Sequence, residues 1–112
     1  MKRLPITMTI VALICGAAAA PAQADLALAA AKNCMSCHTM EKKRVGPGYK
    51  DVALKYANQP DALDVLAAKI RDGGSGVWGP VPMPAHPNVS EVEAIKLAAW
   101  ILSLSSLPKQ DP

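Results

Sequence analysis

The sequence is poor in large aromatic side chains: it has no phenylalanine, two tryptophans and two tyrosines in 112 residues. The hydrophobic core of so short a chain is marginal, and small domains often need a cofactor, a metal or a cross-link to stabilise them. We therefore expect something other than aromatic side chains to fill the interior and to join distant segments.

An excess of charge of one sign is also lacking. The whole chain carries a net charge of +3. When Lys2 and Arg3 of the first segment are set aside, ten basic and nine acidic residues remain. This balance argues against binding to nucleic acid, which requires a basic surface. The local exception is the basic cluster Lys42-Lys43-Arg44.

No hydrophobic run is long enough for a comfortable membrane span. The apolar run at residues 6–20 follows Lys2 and Arg3 and precedes the small residues Ala22-Gln23-Ala24. This order is typical of a secretory signal peptide, so we expect residues 1–24, including Cys15, to be removed by cleavage after Ala24. The alternative is an uncleaved N-terminal anchor. Residues 25–112 then form one domain without stable membrane insertion.

Strict alternation of polar and apolar residues, the sign of a β-strand, is absent as well, so the predicted fold class is all-α. The chain should contain three or four short helices and two long loops. The helices are predicted at residues 26–34, at residues 49–57, from Asp61 to Gly73-Gly74, and from the capping box of Ser90 and Glu93 to Pro108. Residues 45–48 and 74–88 predict loops, because glycines and prolines cluster there.

The last two predicted helices each carry an apolar face. Asp61 is expected to cap the earlier one by a hydrogen bond to its first turn. The predicted core positions are Leu63, Leu66, Ala67 and Ile70 on the earlier helix, and Val92, Ile95, Ala99 and Leu102, with Trp100 beside them, on the later one.

Cysteine is scarce, and outside the predicted signal peptide it occurs only in the run Cys34-Met35-Ser36-Cys37-His38. This C-x-x-C-H pattern is the attachment signature of a c-type haem. Two thiols on a tight turn can each bond one vinyl group of the same porphyrin, and His38 is then held at the iron as a ligand. We expect one haem c, covalently bound through Cys34 and Cys37, which also supplies the missing apolar bulk.

Three other interpretations of the cysteine pair are weaker. A thioredoxin-like redox pair expects a strand–helix context. Half of a zinc site would have only the distant His86 as a further ligand. A structural disulfide is the third alternative. The adjoining histidine and the export signal favour haem over all three.

The second axial ligand of the iron must come from elsewhere in the chain. The candidates with lone pairs are Met35, Met40, Met83 and His86. Met35 and Met40 lie too close to the attachment motif to reach the opposite haem face easily. Met83 is favoured because the prolines on either side of it restrict the backbone and can present one side chain rigidly.

The alternative for Met83 is a methionine that fills the core. A His38/Met83 ligand pair would raise the reduction potential and leave no open iron position. Such a site favours one-electron transfer over chemistry at the iron.

Three stretches together resemble the small bacterial class I cytochromes c of the c-551/c-552 (c8) type: residues 34–38, residues 45–53 and residues 76–84. The resemblance covers nearly all of residues 27–104. It implies a compact fold of four or so short helices wrapped around one haem, with the N- and C-terminal helices crossing. It also implies that Met83 is the distal ligand.

The resemblance implies further roles around the haem. Pro47 looks like the residue whose backbone carbonyl accepts a hydrogen bond from the imidazole of His38. Trp78 looks like the indole that hydrogen bonds a haem propionate, with core packing as the alternative. Lys69 occupies the place of a basic residue near a propionate and Arg71 lies close by, although an exposed charge on a helix fits either residue.

After Met83 the sequence departs from the family pattern, which often has an asparagine whose amide contacts the ligand sulphur. Residues 84–88 read Pro-Ala-His-Pro-Asn. Three possibilities follow: Asn88 contacts the sulphur, His86 does so in its place, or neither residue does. His86 is also a weak competitor for the iron itself.

These features predict a soluble, monomeric, periplasmic one-electron carrier rather than an enzyme. It would carry electrons from a quinol-oxidising complex to a terminal oxidase or a nitrite reductase. The alternatives are a small haem peroxidase and a ligand-binding haem sensor, which both need an open or labile iron position. Redox partners would bind transiently near the exposed haem edge, at Val45 and Val77, where Lys42-Lys43-Arg44 either steers an acidic partner or is a solvated loop.

Overall fold

The computed structural model describes residues 21–107, together with residues 2, 10–14 and 16. For residues 21–24 it describes the backbone only. Much of the predicted signal peptide therefore lies outside the described residues, and so does Pro108, the predicted end of the last helix.

Four α-helices form the described part of the chain: α1 (Pro21–Ala31), α2 (Tyr49–Tyr56), α3 (Ala62–Asp72) and α4 (Glu91–Ser103). Single 3₁₀ turns at Cys34–Ser36 and Leu104–Ser106 come after α1 and α4. Between residues 21 and 107 the one β contact is an isolated antiparallel bridge from Gly74 to Met83. The all-α prediction is confirmed. No helix in the described part of the chain is long and apolar enough to cross a bilayer.

Helix α1 differs from its predicted bounds at both ends. It begins at Pro21, before the proposed cleavage point after Ala24, and it ends at Ala31, before Cys34. Asn33 has a left-handed backbone conformation with φ of 64°. Such a residue ends a helix, and asparagine adopts this conformation more readily than most side chains. The two cysteines consequently lie on a separate tight turn.

Helix α4 packs against all three other helices. Its buried residues are Ala94, Leu97, Ala98, Trp100 and Ile101. The predicted core stripe on this helix is wrong, because Val92 is 76 % and Ile95 39 % exposed, Ala99 is exposed and Leu102 is only half-buried. The helix is apolar nearly all round, so spacing alone allows two faces. The face with the small residues Ala94 and Ala98 is buried, since small side chains let neighbouring helices approach closely.

On α3 the predicted apolar face is confirmed at Leu66, Ala67 and Ile70, which are buried. Leu63 is 37 % exposed, and Ala62 is buried instead. The expected cap is wrong: Asp61 makes no capping hydrogen bond and accepts one from Gln59 Nε2 at 2.9 Å. Burial against α4, more than its N-terminal cap, therefore stabilises α3.

The predicted capping box of α4 is confirmed. Glu93 N donates to Ser90 Oγ at 3.1 Å, and Ser90 N donates to the Glu93 carboxylate at 3.0 Å. Lys32, which follows α1, lies 3.2 Å from the same carboxylate. The Ser90 N–H and the Lys32 ammonium hold the pKa of Glu93 below its usual range. One carboxylate thus joins the end of α1 to the start of α4.

We expect Glu93→Gln to lower stability at neutral pH and to have little effect in acid. Glutamine keeps the capping contact with Ser90 but loses the charge attraction to Lys32. Because folding lowers the pKa of Glu93, the stabilisation from its ionised form is complete above the unfolded-state pKa. It is lost as pH falls through the lower folded-state value.

Urea unfolding at several pH values measures this difference. Glu91→Gln is the matched control, since it removes the same charge from the same helix turn, whereas the ion pair of Lys32 is with Glu93. A difference between wild type and Glu93→Gln that stays constant down to strongly acidic pH would contradict the prediction.

Candidate haem-binding site

A cavity of about 640 Å³ is lined by the cysteine turn, by three helices and by the loop after α3. Pockets of this size accommodate a large organic ligand. The helices contribute apolar side chains, namely Val52, Leu66, Ile70, Leu97 and Ile101. Cys34, Cys37, His38 and Met83 also line the cavity. The structure therefore brings the two sequence-predicted axial ligands and both cysteines to one apolar pocket.

The cysteine turn presents both sulphur atoms to this cavity. Cys37 N and His38 N donate to Cys34 O at 3.2 and 3.0 Å. Ser36 Oγ donates to Asn33 O at 2.8 Å and closes the turn from the outside. Both cysteines are half-buried. The two thiols and the next imidazole thus belong to one short, hydrogen-bonded unit.

The imidazole of His38 is held by Pro47. Nδ1 lies 2.8 Å from Pro47 O. A carbonyl oxygen can only accept a hydrogen bond, so Nδ1 carries the proton and Nε2 keeps its lone pair. This is the tautomer that a histidine needs in order to bind a metal through Nε2.

The loop that carries Pro47 returns alongside the cysteine turn. Three main-chain hydrogen bonds join the two segments: Gly46 N to Cys37 O (2.8 Å), Tyr49 N to Thr39 O (2.9 Å) and Lys50 N to Met40 O (3.0 Å). Lys50 is buried, at 6 % exposure, and forms an ion pair with Glu41 in the same loop. These contacts fix Pro47 O relative to His38, so the orientation of the imidazole is set by the protein.

Met83 reaches the cavity from the loop after α3. Met83 N donates to Gly74 O at 2.7 Å, and Gly74 N donates to Met83 O at 3.0 Å. Gly73 has a positive φ of 73°, and a Cβ there would collide with Met83 O. Gly73 is therefore needed for the close approach that positions the methionine.

The other two candidate methionines lie elsewhere. Met35, Met40 and Met83 all pack against the hydrophobic core, but of the three Met83 alone lines the cavity. The structure thus separates them from the pocket that His38 and Met83 share.

Known proteins combine the same features. Residues 26–105 match the family model described as Cytochrome c. The chain belongs to the cytochrome c family. Cytochrome c-552 of Hydrogenobacter thermophilus is 60 % identical over 77 residues, which cover 69 % of this chain and 78 % of that protein.

Two solved structures are similar to this cytochrome. The crystal structure of wild-type Nitrosomonas europaea cytochrome c552 has a TM-score of 0.70 at 52 % identity and covers 71 % of this chain and 99 % of that one. The class 1 cytochrome MtoD from Sideroxydans lithotrophicus has a TM-score of 0.65 at 33 % identity, with 79 % and 100 % covered. The predicted class I fold and the c-551/c-552 type are confirmed.

Membership in the family means that this cytochrome carries one haem c, bound covalently through Cys34 and Cys37, and that it transfers electrons. The residues present fit that group. The cavity is apolar and large, both thiols line it, and His38 offers a free Nε2 lone pair. The predicted cofactor is confirmed.

Trp78 and Lys69, for which the resemblance implies places near the propionates, both line the cavity. Trp78 is 40 % exposed and does not belong to the buried core. Lys55 Nζ lies 5.4 Å from its ring centroid and makes a cation–π contact. Lys69 is half-buried, whereas Arg71 is exposed and does not line the cavity. The two basic residues therefore have different surroundings.

Tyr49 is a site residue that sequence analysis missed. Its ring stacks on the His38 imidazole, with centroids 5.0 Å apart and planes inclined by 17°. Trp100 meets Tyr49 edge to face at 5.3 Å. Burial raises the pKa of Tyr49 above its usual range, and its hydroxyl hydrogen bonds Cys34. The scarcity of aromatics was the one available signal, because each of so few is a candidate for contact with the cofactor.

Gly46 is a second missed residue, and its role is steric. A Cβ on Gly46 would collide with His38 Cε1 and lie 2.8 Å from Nδ1. The imidazole therefore packs directly against a backbone that has no side chain.

We expect Gly46→Ala to displace the His38 ring. The added methyl group overpacks the contact and should cost about 1–3 kcal/mol of stability. The haem-methyl NMR shifts of the ferric protein, which report ligand orientation, should change together with the urea midpoint.

Gly79→Ala is the control for this prediction. Gly79 has a positive φ of 114°, but no atom lies within 4 Å of the place that a Cβ would take. Alanine there should lower stability through backbone strain and leave the haem-methyl shifts unchanged. Unaltered shifts in Gly46→Ala would refute the steric role of Gly46.

Proposed function

We propose that this cytochrome is a soluble, monomeric, periplasmic one-electron carrier, and not an enzyme, whose haem iron is bound by His38 and Met83. In this role it accepts electrons from a quinol-oxidising complex and delivers them to a terminal oxidase or a nitrite reductase. The observation that carries the proposal is the single cavity that His38 and Met83 both line. The secretory pattern of residues 1–24, with cleavage after Ala24, supports export.

Two observations support Met83 as the ligand: it lines the cavity, and hydrogen bonds restrain its backbone. Met35 and Met40 lie outside the cavity lining, which leaves Met83 and His86 of the four candidate ligands. Met83 is tied by two main-chain hydrogen bonds to Gly74. The Nδ1 of His86 lies 3.0 Å from Ile70 O, which leaves its Nε2 with a lone pair, as in His38. The spectrum of Met83→Ala therefore distinguishes the two residues.

The chemistry follows from what each residue holds in place. The haem iron, when bound, supplies the one-electron couple. His38 is oriented by Pro47 and Tyr49, and Met83 by Gly73 and Gly74, so little needs to move when the iron changes charge. A thioether paired with an imidazole favours the reduced state and raises the potential. With His38 and Met83 both holding the iron, the protein would leave no iron position for peroxide or a gaseous ligand.

We expect Met83→Ala to abolish the weak near-infrared band of methionine-ligated ferric haem. The open position should then bind cyanide or carbon monoxide tightly, and the reduction potential should fall. Absorption spectroscopy, ligand titration and voltammetry measure the three effects.

Met40→Leu is the matched control, because Met40 packs on the core without lining the cavity. It should keep the band and resist cyanide. A wild-type protein without the band, or a band that survives in Met83→Ala, would show that Met83 is not the ligand. Rapid turnover of peroxide by the wild type would favour the alternative of a peroxidase.

The surface at the mouth of the cavity supports transient binding of redox partners. Val45, Val77 and Val81 line the cavity and are 51 %, 42 % and 59 % exposed. Lys43 also lines the cavity, and its neighbours Lys42 and Arg44 are exposed. A small apolar contact with a basic edge suits a partner that is acidic and must leave quickly.

We expect Lys43→Ala to slow electron transfer with an acidic partner about two- to tenfold at low ionic strength, and to weaken the salt dependence of the rate. Stopped-flow mixing of the reduced cytochrome with its oxidase or nitrite reductase at several salt concentrations measures both.

Lys96→Ala is the control, because it removes one positive charge from α4, away from the cavity lining. Equal effects of the two substitutions would show that net charge alone matters. In that case the basic cluster would be an ordinary solvated loop.

A further inference from the structure

The C-terminal end of α3 has an unusual set of hydrogen-bond partners. The last carbonyl groups of a helix have no partner within the helix and must be satisfied from elsewhere. Gly73 N donates to Lys69 O at 2.8 Å, as is common where a glycine ends a helix. The next two carbonyls, those of Ile70 and Arg71, are satisfied from the loop that carries Met83.

His86 supplies both of these bonds. Its side-chain Nδ1 lies 3.0 Å from Ile70 O, and its main-chain N donates to Arg71 O at 3.0 Å. Since a carbonyl only accepts, Nδ1 is the protonated nitrogen. One residue thus caps two successive carbonyls of a helix that ends fourteen positions earlier in the chain.

The same loop has few other means of holding its shape. Pro84 and Pro87 lack an N–H, so they donate no main-chain bond. Between residues 83 and 89, the main-chain donors with a main-chain partner are Met83 N to Gly74 O, His86 N to Arg71 O and Val89 N to His86 O. The fixed points beside Met83 are its own bonds to Gly74 and the bonds of His86 to α3. Farther along the loop, Lys32 Nζ donates to Asn88 O at 2.8 Å.

The two fixed points share one support. Gly74 lies two residues after the end of α3, and the carbonyls that His86 caps belong to the last turn of that helix. The loop is therefore attached to the end of α3 twice, at Met83 through Gly74 and three residues later through His86. Loss of the His86 side-chain bond to Ile70 O leaves residues 84–86 held to α3 by one main-chain bond, so the segment next to Met83 is less restrained.

We propose that His86 is a positioning residue for Met83: by capping α3 through Ile70 O, it fixes the loop that holds the methionine sulphur at the iron. This inference rests on the proposed ligation by Met83. It also assigns a role to the stretch in which the sequence departs from the family pattern, since His86 acts on the helix end through Nδ1.

The test compares His86→Leu with His86→Asn in the ferric holoprotein. The side-chain nitrogen of asparagine can occupy the place of imidazole Nδ1 and donate to Ile70 O, whereas leucine keeps the bulk and removes the donor. Added imidazole serves as the probe, because it binds the iron only when Met83 leaves. We expect His86→Leu to bind imidazole about tenfold more tightly or better, and His86→Asn to match the wild type.

Amide hydrogen exchange supplies a second readout that does not depend on the iron ligand. The amides of Gly74 and Met83 should exchange faster in His86→Leu and remain protected in His86→Asn, because their mutual hydrogen bonds lose the neighbouring attachment. Leu104→Val is the control for a general loss of stability, since Leu104 is buried and does not line the cavity. It should leave imidazole affinity unchanged.

The outcomes separate the two proposals. If His86→Leu behaves like the wild type in both readouts, or if Leu104→Val has the same effect at equal loss of stability, His86 has no positioning role. If the wild type lacks the near-infrared band, ligation by Met83 is wrong. The exchange rates of Gly74 and Met83 then show whether His86 still fixes the loop, and if they are insensitive to His86→Leu, both proposals fail.

Discussion

The hydrogen bond from His38 Nδ1 to Pro47 O is the contact on which the haem site depends. A neutral hydrogen bond contributes only about 1 kcal/mol to stability, yet this one decides which imidazole nitrogen is free for the metal. The bond can orient the imidazole because Pro47 O is held in place. The segment that carries it is hydrogen bonded through its backbone to residues 37, 39 and 40. The tight packing of His38 against Gly46 and Tyr49 follows from the same loop path.

His38 and Met83, the proposed iron ligands, are supported in different ways. The loop behind His38 is anchored to the segment that bears the cysteines, so the proximal side is one local unit. Met83 belongs to a loop rich in proline, which makes few bonds of its own and is anchored to the end of α3. The position of Met83 therefore depends on a helix whose own position comes from burying Leu66, Ala67 and Ile70.

Covalent chemistry and helical periodicity explain what could be predicted from the sequence. Attachment of a porphyrin through two thiols imposes a fixed spacing, so Cys34, Cys37 and His38 are evident without a structure. The capping box of α4 is equally local. The buried face of α4 was predicted wrongly because the helix is apolar nearly all round, and only its neighbours decide which side they cover.

The remaining features depend on contacts through space. His86 meets Ile70 sixteen residues away, and no spacing rule connects a histidine in a loop with a carbonyl at a helix end. The stacking of Tyr49 on His38 and the steric role of Gly46 arise in the same way, from the path of a loop that sequence pattern describes only as irregular.

The reciprocal bonds between Gly74 and Met83 join the two ends of residues 75–82, which form a small flap. Within the flap, Gly76 N bonds to Gly79 O at 2.9 Å, and neither glycine has an atom within 4 Å of where a Cβ would lie. Both glycines have a positive φ, of 98° and 114°, so a side chain there would strain the backbone although it would meet no neighbour. The exposed Val77 and Val81 lie under no such constraint, so the surface that the flap shows to other proteins can evolve while Met83 stays in place.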